Sequence, residues 1–147
     1  MAKERKVSVS RTIEASPEAI FAIIDDPTQH AAMDGSGTVK GSRQASTHLT
    51  LGDRFGMDMR LGIPYRIASK VVEYEAGRRL AWAHFGGHRW RYELEPLGDA
   101  TRVTETFDWS SAKFPPFIEL MGFPAKHLVN MERTLENLAR LAEGKAN

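Results

Sequence analysis

At 147 residues, with 41% hydrophobic and 27% charged side chains, the chain has the size and balance of one soluble globular domain spanning 1–147. A formal net charge of +1 leaves no electrostatic footprint for nucleic acid, and the absence of cysteine excludes disulfides, thiolate nucleophiles and cysteine metal sites. No apolar run approaches the roughly 20 residues of a membrane-spanning helix, and the start lacks the apolar core of a secretory signal, so the expectation is a cytoplasmic protein without stable membrane insertion.

Val7, Val9, Arg11 and Ile13 alternate with Ser8, Ser10 and Thr12, which predicts a first strand. Ser16-Pro17-Glu18 then reads as a helix start: a serine N-cap, proline at the first helical position and an acid at the positive helix end. Ala19 occupies the place of the capping-box glutamate, so that motif is incomplete. Ile20, Phe21, Ile23 and Ile24 form the apolar stripe, Asp25-Asp26-Pro27 breaks it, and a second short helix is expected over Thr28 to Ala32.

Asp34-Gly35-Ser36-Gly37 reads as a turn cluster that also offers backbone amides and a carboxylate near the expected cavity mouth. It lacks the lysine and following helix of a phosphate loop, and Ser36 lacks the flanking pattern of a nucleophile elbow. Thr38 to Arg43 is the next expected strand. Phe55, Met57, Met59 and Leu61 alternate with Gly56, Asp58 and Arg60 in another. Gly62-Ile63-Pro64 turns the chain, and Tyr65, Ile67, Ser69 and Val71 face one way in a long strand ending at Glu75.

From Ala76 to Ser110 the pattern predicts three strands joined by a three-residue turn at Phe85-Gly86-Gly87 and a two-residue turn at Gly98-Asp99. The side-chain period of two then sets the register. Trp82, Trp90 and Phe107 share a row, Leu80, Tyr92 and Glu105 the next, and His84, His88 and Trp109 a third. Arg89, Arg91, Glu93, Thr104, Thr106 and Asp108 fall on the opposite face, expected to be solvated. An apolar aromatic wall holding a few ionisable groups is the composition of a small-molecule pocket.

Residues 112–124 are rich in proline and phenylalanine and read as irregular, with one helical turn at most. Phe114, Phe117, Met121 and Phe123 make this segment the expected gate of the pocket. From Pro124 the period becomes helical, with Leu128, Met131, Leu135, Leu138 and Ala142 on one face and Gly144 as the stop. The expected fold is α+β: a curved antiparallel sheet of about seven strands, two short helices after the first strand, and a long C-terminal helix across the concave face.

Three stretches carry a resemblance. They are Val9-Ser-Arg-Thr-Ile-Glu-Ala-Ser-Pro-Glu-Ala-Ile-Phe21, Val71-Val-Glu-Tyr-Glu-Ala-Gly-Arg-Arg-Leu-Ala-Trp82, and Tyr92-Glu-Leu-Glu-Pro-Leu-Gly-Asp-Ala-Thr-Arg-Val-Thr104 with Thr106-Phe-Asp-Trp-Ser110 behind it. With the order of elements, these resemble the helix-grip superfamily of START domains, pollen-allergen-type proteins and aromatic polyketide cyclases (SRPBCC), and look most like its polyketide cyclase/dehydrase-like members. The resemblance covers nearly the whole chain and speaks for fold more than for function, because one scaffold hosts carriers, lipid binders and cyclases.

The resemblance implies that Phe55, Met57, Met59, Tyr65, Ile67, Trp82, His84, Trp90, Phe107, Trp109, Phe117, Met121, His127 and Met131 line a ligand cavity. Glu105 is the sharpest single residue. In an apolar pocket it acts as acid or base with Tyr92, anchors a ligand hydroxyl, or is a structural pair with Tyr92 or Arg11. His30, His84, His88 and His127 are candidates for proton transfer, and no ligand spacing supports a metal or other cofactor. The leading expectation is a carrier or sensor of a small hydrophobic or aromatic molecule, as monomer or homodimer. The alternative is a polyketide cyclase/dehydratase-like enzyme that moves protons with Glu105 and Tyr92 or a histidine. A third reading is a module whose apolar cleft meets another protein.

Overall fold

The computed structural model describes residues 5–35, 39–42, 48–61, 63–84, 87–120 and 122–144. The alternating N-terminal segment forms β1 (Lys6–Ile13), and α1 (Pro17–Ile24) starts as its sequence dictates. Ser16 is extended and its side chain accepts a hydrogen bond from the Ala19 amide, which satisfies one of the unpaired donors at a helix start. The second short helix divides in two: a 3-10 turn at Pro27–Gln29, capped by Asp26, and then α2 (His30–Met33). Proline at the first position and the Asp26 side chain tighten the first turn and delay the α-helical segment to His30.

The remaining strands are β2 (Val39–Ser42), β3 (Arg54–Leu61), β4 (Ile63–Glu75), β5 (Arg79–Ala83), β6 (Arg89–Leu97) and β7 (Ala100–Asp108). All neighbours pair antiparallel in one curled sheet of order β1-β7-β6-β5-β4-β3-β2. A register shift between Val71 and Glu73 adds bend where β4 meets β5. Leu97 pairs with Ala100, so Gly98-Asp99 is the two-residue turn, with Gly98 in the left-handed region at φ 69°. Ser36, Gly37, Thr38, Arg43, Gly62, Phe85 and Gly86 of the expected turns and strand ends lie outside the described residues.

Two of the three expected rows form as read: Trp82, Trp90 and Phe107 are paired across the sheet, as are Leu80, Tyr92 and Glu105. The third row is corrected. β5 ends at Ala83 and β7 at Asp108, so His84, His88 and Trp109 are outside the ladder. The His84 and His88 rings still meet, at 5.5 Å, whereas Trp109 turns away.

The opposite face is also more than a solvated surface. Glu73 accepts from both Arg89 (2.8 Å) and Arg91 (2.7 and 2.9 Å), and Arg91 reaches Asp108 at 3.2 Å. Ala81 lies between Glu73 and Arg91 in the ladder and is fully buried, so its small side chain lets the two reach over it. Thr106 is buried there as well, bonded to Ser8.

Residues expected to be irregular hold α3 (Pro115–Leu120), which buries Ile118. Then α4 (Phe123–Glu143) runs to Gly144. Its apolar stripe buries Met131, Leu135, Leu138 and Ala139, and it packs against β1, β7, α1 and α2. The main core joins this stripe to Ile20, Phe21 and Ile24 of α1 and to Leu80, Tyr92, Leu94 and Val103 of the sheet. A second cluster gathers Phe107, Trp109, Ala112, Ile118 and Met131 under α3.

Candidate functional site

Between the concave face and the helices lies a cavity of about 310 Å³. Alternation sends Phe55, Met57 and Met59 of β3 and Tyr65, Ile67 and Ser69 of β4 to its wall. Trp82 of β5, Trp90 and Tyr92 of β6 and Glu105 of β7 continue it, with His84 and His88 at the hairpin end. The helical side adds His30 and Met33 from α2, Asp34 after it, and His127, Asn130, Met131 and Thr134 from α4.

Three of the expected lining residues are not on this wall. Phe107 and Trp109 belong to the second cluster, where Trp109 Nε1 donates to Glu119 Oε2 at 2.8 Å. Phe117 of α3 is exposed, as is Phe114 just before that helix, and no residue of 112–120 lines the cavity. Met121 and Phe123, the rest of the expected gate, have no described side chains. Trp90, Met131 and His127 form the partition, touching both the cavity and the Phe107 cluster.

The wall also holds groups that the sequence reading passed over. Asn130 and Thr134 follow His127 at helical spacing, one step round the wheel from the apolar stripe; a polar flank beside a stripe facing a cavity was the available signal. Ser69 shares the inward alternation of Tyr65 and Ile67, and its Oγ shares a 2.7 Å hydrogen bond with His84 Nδ1.

Glu105 is 3% exposed. The Tyr92 hydroxyl donates to its Oε2 at 2.9 Å, while its Oε1 has no partner. Arg11, the other partner envisaged, is exposed on β1 beside Val103. Burial pushes the Glu105 carboxyl up to about 8, against the lowering effect of the Tyr92 bond and reinforced by the negative charge of Asp34. It is therefore a neutral, protonated acid at pH 7. Burial first, then the Glu105 charge, raises the Tyr92 hydroxyl well above its ordinary value.

The four histidines of the cavity wall are neutral too. Burial pushes His30, His84 and His127 down to about 4, and His88 is lowered by the same cause. His30 Nε2 donates to the Ile24 carbonyl at 2.8 Å, which leaves Nδ1 as its acceptor, and the ring stacks on Trp82 at 4.7 Å. His88 Nδ1 and Glu105 Oε1 are the two buried side-chain polar atoms without a hydrogen-bond partner among the described residues. Among the described residues neither lysine nor arginine lines the cavity, and no group of acids and histidines is arranged to hold a metal.

The α2 end of the cavity is clamped to α4. The Gly35 amide donates to Thr134 Oγ1 at 2.8 Å, and Asn137 donates to the Met33 carbonyl. A Cβ at residue 35 would collide with the Asn130 carbonyl oxygen, the Arg133 Cβ and the Thr134 nitrogen, mostly backbone that cannot step aside. Gly35→Ala is expected to cost about 1–3 kcal/mol by overpacking. Because Asp34 and Met33 would shift with it, ligand affinity should fall alongside the urea midpoint; an unchanged midpoint would show that the approach is looser than drawn.

A family model described as polyketide cyclase / dehydrase and lipid transport matches residues 4–143. The uncharacterized protein Rv0088 of Mycobacterium tuberculosis H37Rv is 42% identical across 147 aligned positions, covering 94% of this chain. Protein MT0096 of the CDC 1551 strain matches to the same extent. The chain spans 66% of the length of these curated relatives. Among solved structures, the AHSA1-like protein from Aeromonas hydrophila superposes with a TM-score of 0.70 at 23% identity, over 95% of this chain and 92% of that one. Protein NE0264 from Nitrosomonas europaea does so with a TM-score of 0.76 at 15% identity, over 98% and 97%. At such identities these two structures speak for the fold alone. No helix among the described residues is long and apolar enough to cross a membrane.

Proposed function

Since this chain belongs to the polyketide cyclase/dehydrase and lipid-transport family of the helix-grip superfamily, we propose that it binds a small hydrophobic or aromatic molecule between the sheet and α4, as a carrier or sensor. The observation that carries this reading is the cavity of about 310 Å³, walled by Phe55, Met57, Met59, Trp82 and Trp90, with a few polar groups set among them. Methionines beside aromatic rings adapt to irregular apolar shapes.

Tryptophan emission tests it. Trp82 and Trp90 are on the wall and Trp109 is not, so a bound aromatic should quench emission in the protein and in Trp109→Phe alike. If a broad panel of flat hydrophobic compounds changes neither emission nor melting temperature, the reading falls.

A second reading is favoured by the neutral Glu105 carboxyl, whose Oε1 is unpartnered while Tyr92 holds Oε2. Such a group serves as a general acid in an enzyme of the cyclase/dehydratase type. Glu105→Gln would then keep binding and lose turnover by roughly 10²–10⁴-fold. A bound compound released chemically unchanged by the native protein supports the carrier.

A further inference from the structure

We propose that the ligand is a rigid aromatic molecule with an oxygen function at each end and no negative charge, held by Glu105 Oε1 at one end and His88 Nδ1 at the other. The proposal rests on the binding reading above and narrows it to a chemical class. Its basis is that these two atoms are buried, lie on residues of the same cavity wall and have no hydrogen-bond partner among the described residues. An unpaired buried polar atom is costly, and native structures resolve it with a protein group, a water or a ligand.

The two atoms mark opposite ends of one track. Glu105 is tied to Tyr92, its partner across the β6–β7 ladder. His88 precedes Tyr92 by four residues along the chain, about 13 Å at roughly 3.3 Å per extended residue. Trp90 lies midway and Trp82 is its ladder partner, so the path between the anchors is aromatic. Two linked benzene rings with oxygens at the far para positions, with a hydrogen bond at each end, are of the same order of length as this backbone spacing.

The chemistry at each end follows from the anchors. A protonated Glu105 already accepting from Tyr92 on Oε2 has a proton to give from Oε1, so it calls for a carbonyl or hydroxyl oxygen. His88 Nδ1 is donor or acceptor according to its tautomer, and a hydroxyl answers both. An anion has no cation to pair with among the described wall residues, which include no lysine or arginine, and the Asp34 carboxylate would face it. Burying such a charge unpaired is strongly unfavourable.

A matched series tests the proposal on the intact protein at pH 7: 4,4′-dihydroxybiphenyl, 4-hydroxybiphenyl, biphenyl and biphenyl-4,4′-dicarboxylate, titrated by tryptophan quenching. Each hydroxyl should tighten binding by about tenfold, the yield of one well-made hydrogen bond in a buried site. The dicarboxylate should bind most weakly. Glu105→Gln, whose amide still donates, should retain the dihydroxy preference. His88→Leu should bring the dihydroxy and monohydroxy compounds to equal affinity. Biphenyl binding as tightly as its diol, or the dicarboxylate binding best, overturns the two-ended recognition and leaves the hydrophobic-cavity reading intact. Failure of all four to bind overturns both.

Discussion

Glu105→Gln is expected to stabilise the protein, and to do so increasingly as pH rises from 4.5 to 8. The folded carboxyl is raised to about 8, whereas its ordinary value is 4.5. Across that window the unfolded chain gives up the Glu105 proton and the folded chain keeps it. The folded state thus binds more protons, and stability falls with rising pH until about pH 8, where the loss is complete. The difference amounts to on the order of 5 kcal/mol as an upper limit. Glutamine never ionises, keeps an oxygen for the Tyr92 hydroxyl, and removes this loss. In a chain of this size each kcal/mol moves the midpoint by about 2–4 °C, so the variant should gain on the order of 10 °C at pH 8.

The buried histidines of the cavity wall act in the opposite sense. His30, His84 and His127 are lowered to about 4 from 6.5, so the unfolded chain binds more protons between those values and stability drops as pH falls through them. The native protein should therefore be most stable near pH 6.5, and above it the variant should lose less stability than the native protein, keeping only the decline from His48, which its bond to Asp25 raises. Thermal melts at half-unit intervals would read this directly. Parallel profiles for the two proteins above pH 6.5 would mean that Glu105 is ionised in the fold.

The second large effect is at Phe107. Its ring is 1% exposed and lies 4.5 Å from His127, 4.8 Å from Trp90 and 5.6 Å from Trp109. Phe107→Ala should cost about 3–5 kcal/mol, the usual sum of lost transfer energy and the hole left behind. His127 and Trp90 also form the cavity wall, so ligand affinity should weaken even though Phe107 is absent from that wall. Phe114→Ala, at a ring 74% exposed, should stay within about 0.5 kcal/mol. Chemical denaturation of the two variants decides the matter: equal midpoints would place Phe107 outside the core.

The contrast between these two phenylalanines also shows how far the sequence could be read. Strict alternation and the Gly98-Asp99 turn fix the β6–β7 register, which in turn sets Glu105 beside Tyr92; both are local signals. The 3.6-residue period from Leu128 to Ala142 likewise specifies α4 and its buried stripe. Alternation reports which face a residue takes, but not what covers that face at each row. Phe107 shares a row with Trp90 and Trp82, yet α3 closes over its end of the row and turns it from cavity wall into core. The position of α3 comes from contacts such as Glu119 with Arg5 and Trp109, which join distant parts of the chain. The polar character of the helical wall was obscured for the same reason: Asn130 and Thr134 lie on α4 where the α2 end is clamped to it.

The seam between β1 and β7 has a consequence in time. β1 is paired along its whole length with the last strand, from Lys6 with Asp108 to Ile13 with Thr101, and Glu143 of α4 accepts from the Glu14 amide at its end. During synthesis at about 5–20 residues per second, β1 leaves the ribosome on the order of 5–20 s before β7 is available. Until then its apolar side has no final place, and α4 has not yet been made. Sheet closure is thus the late event in the birth of this protein, and high contact order puts its refolding with the slower small domains.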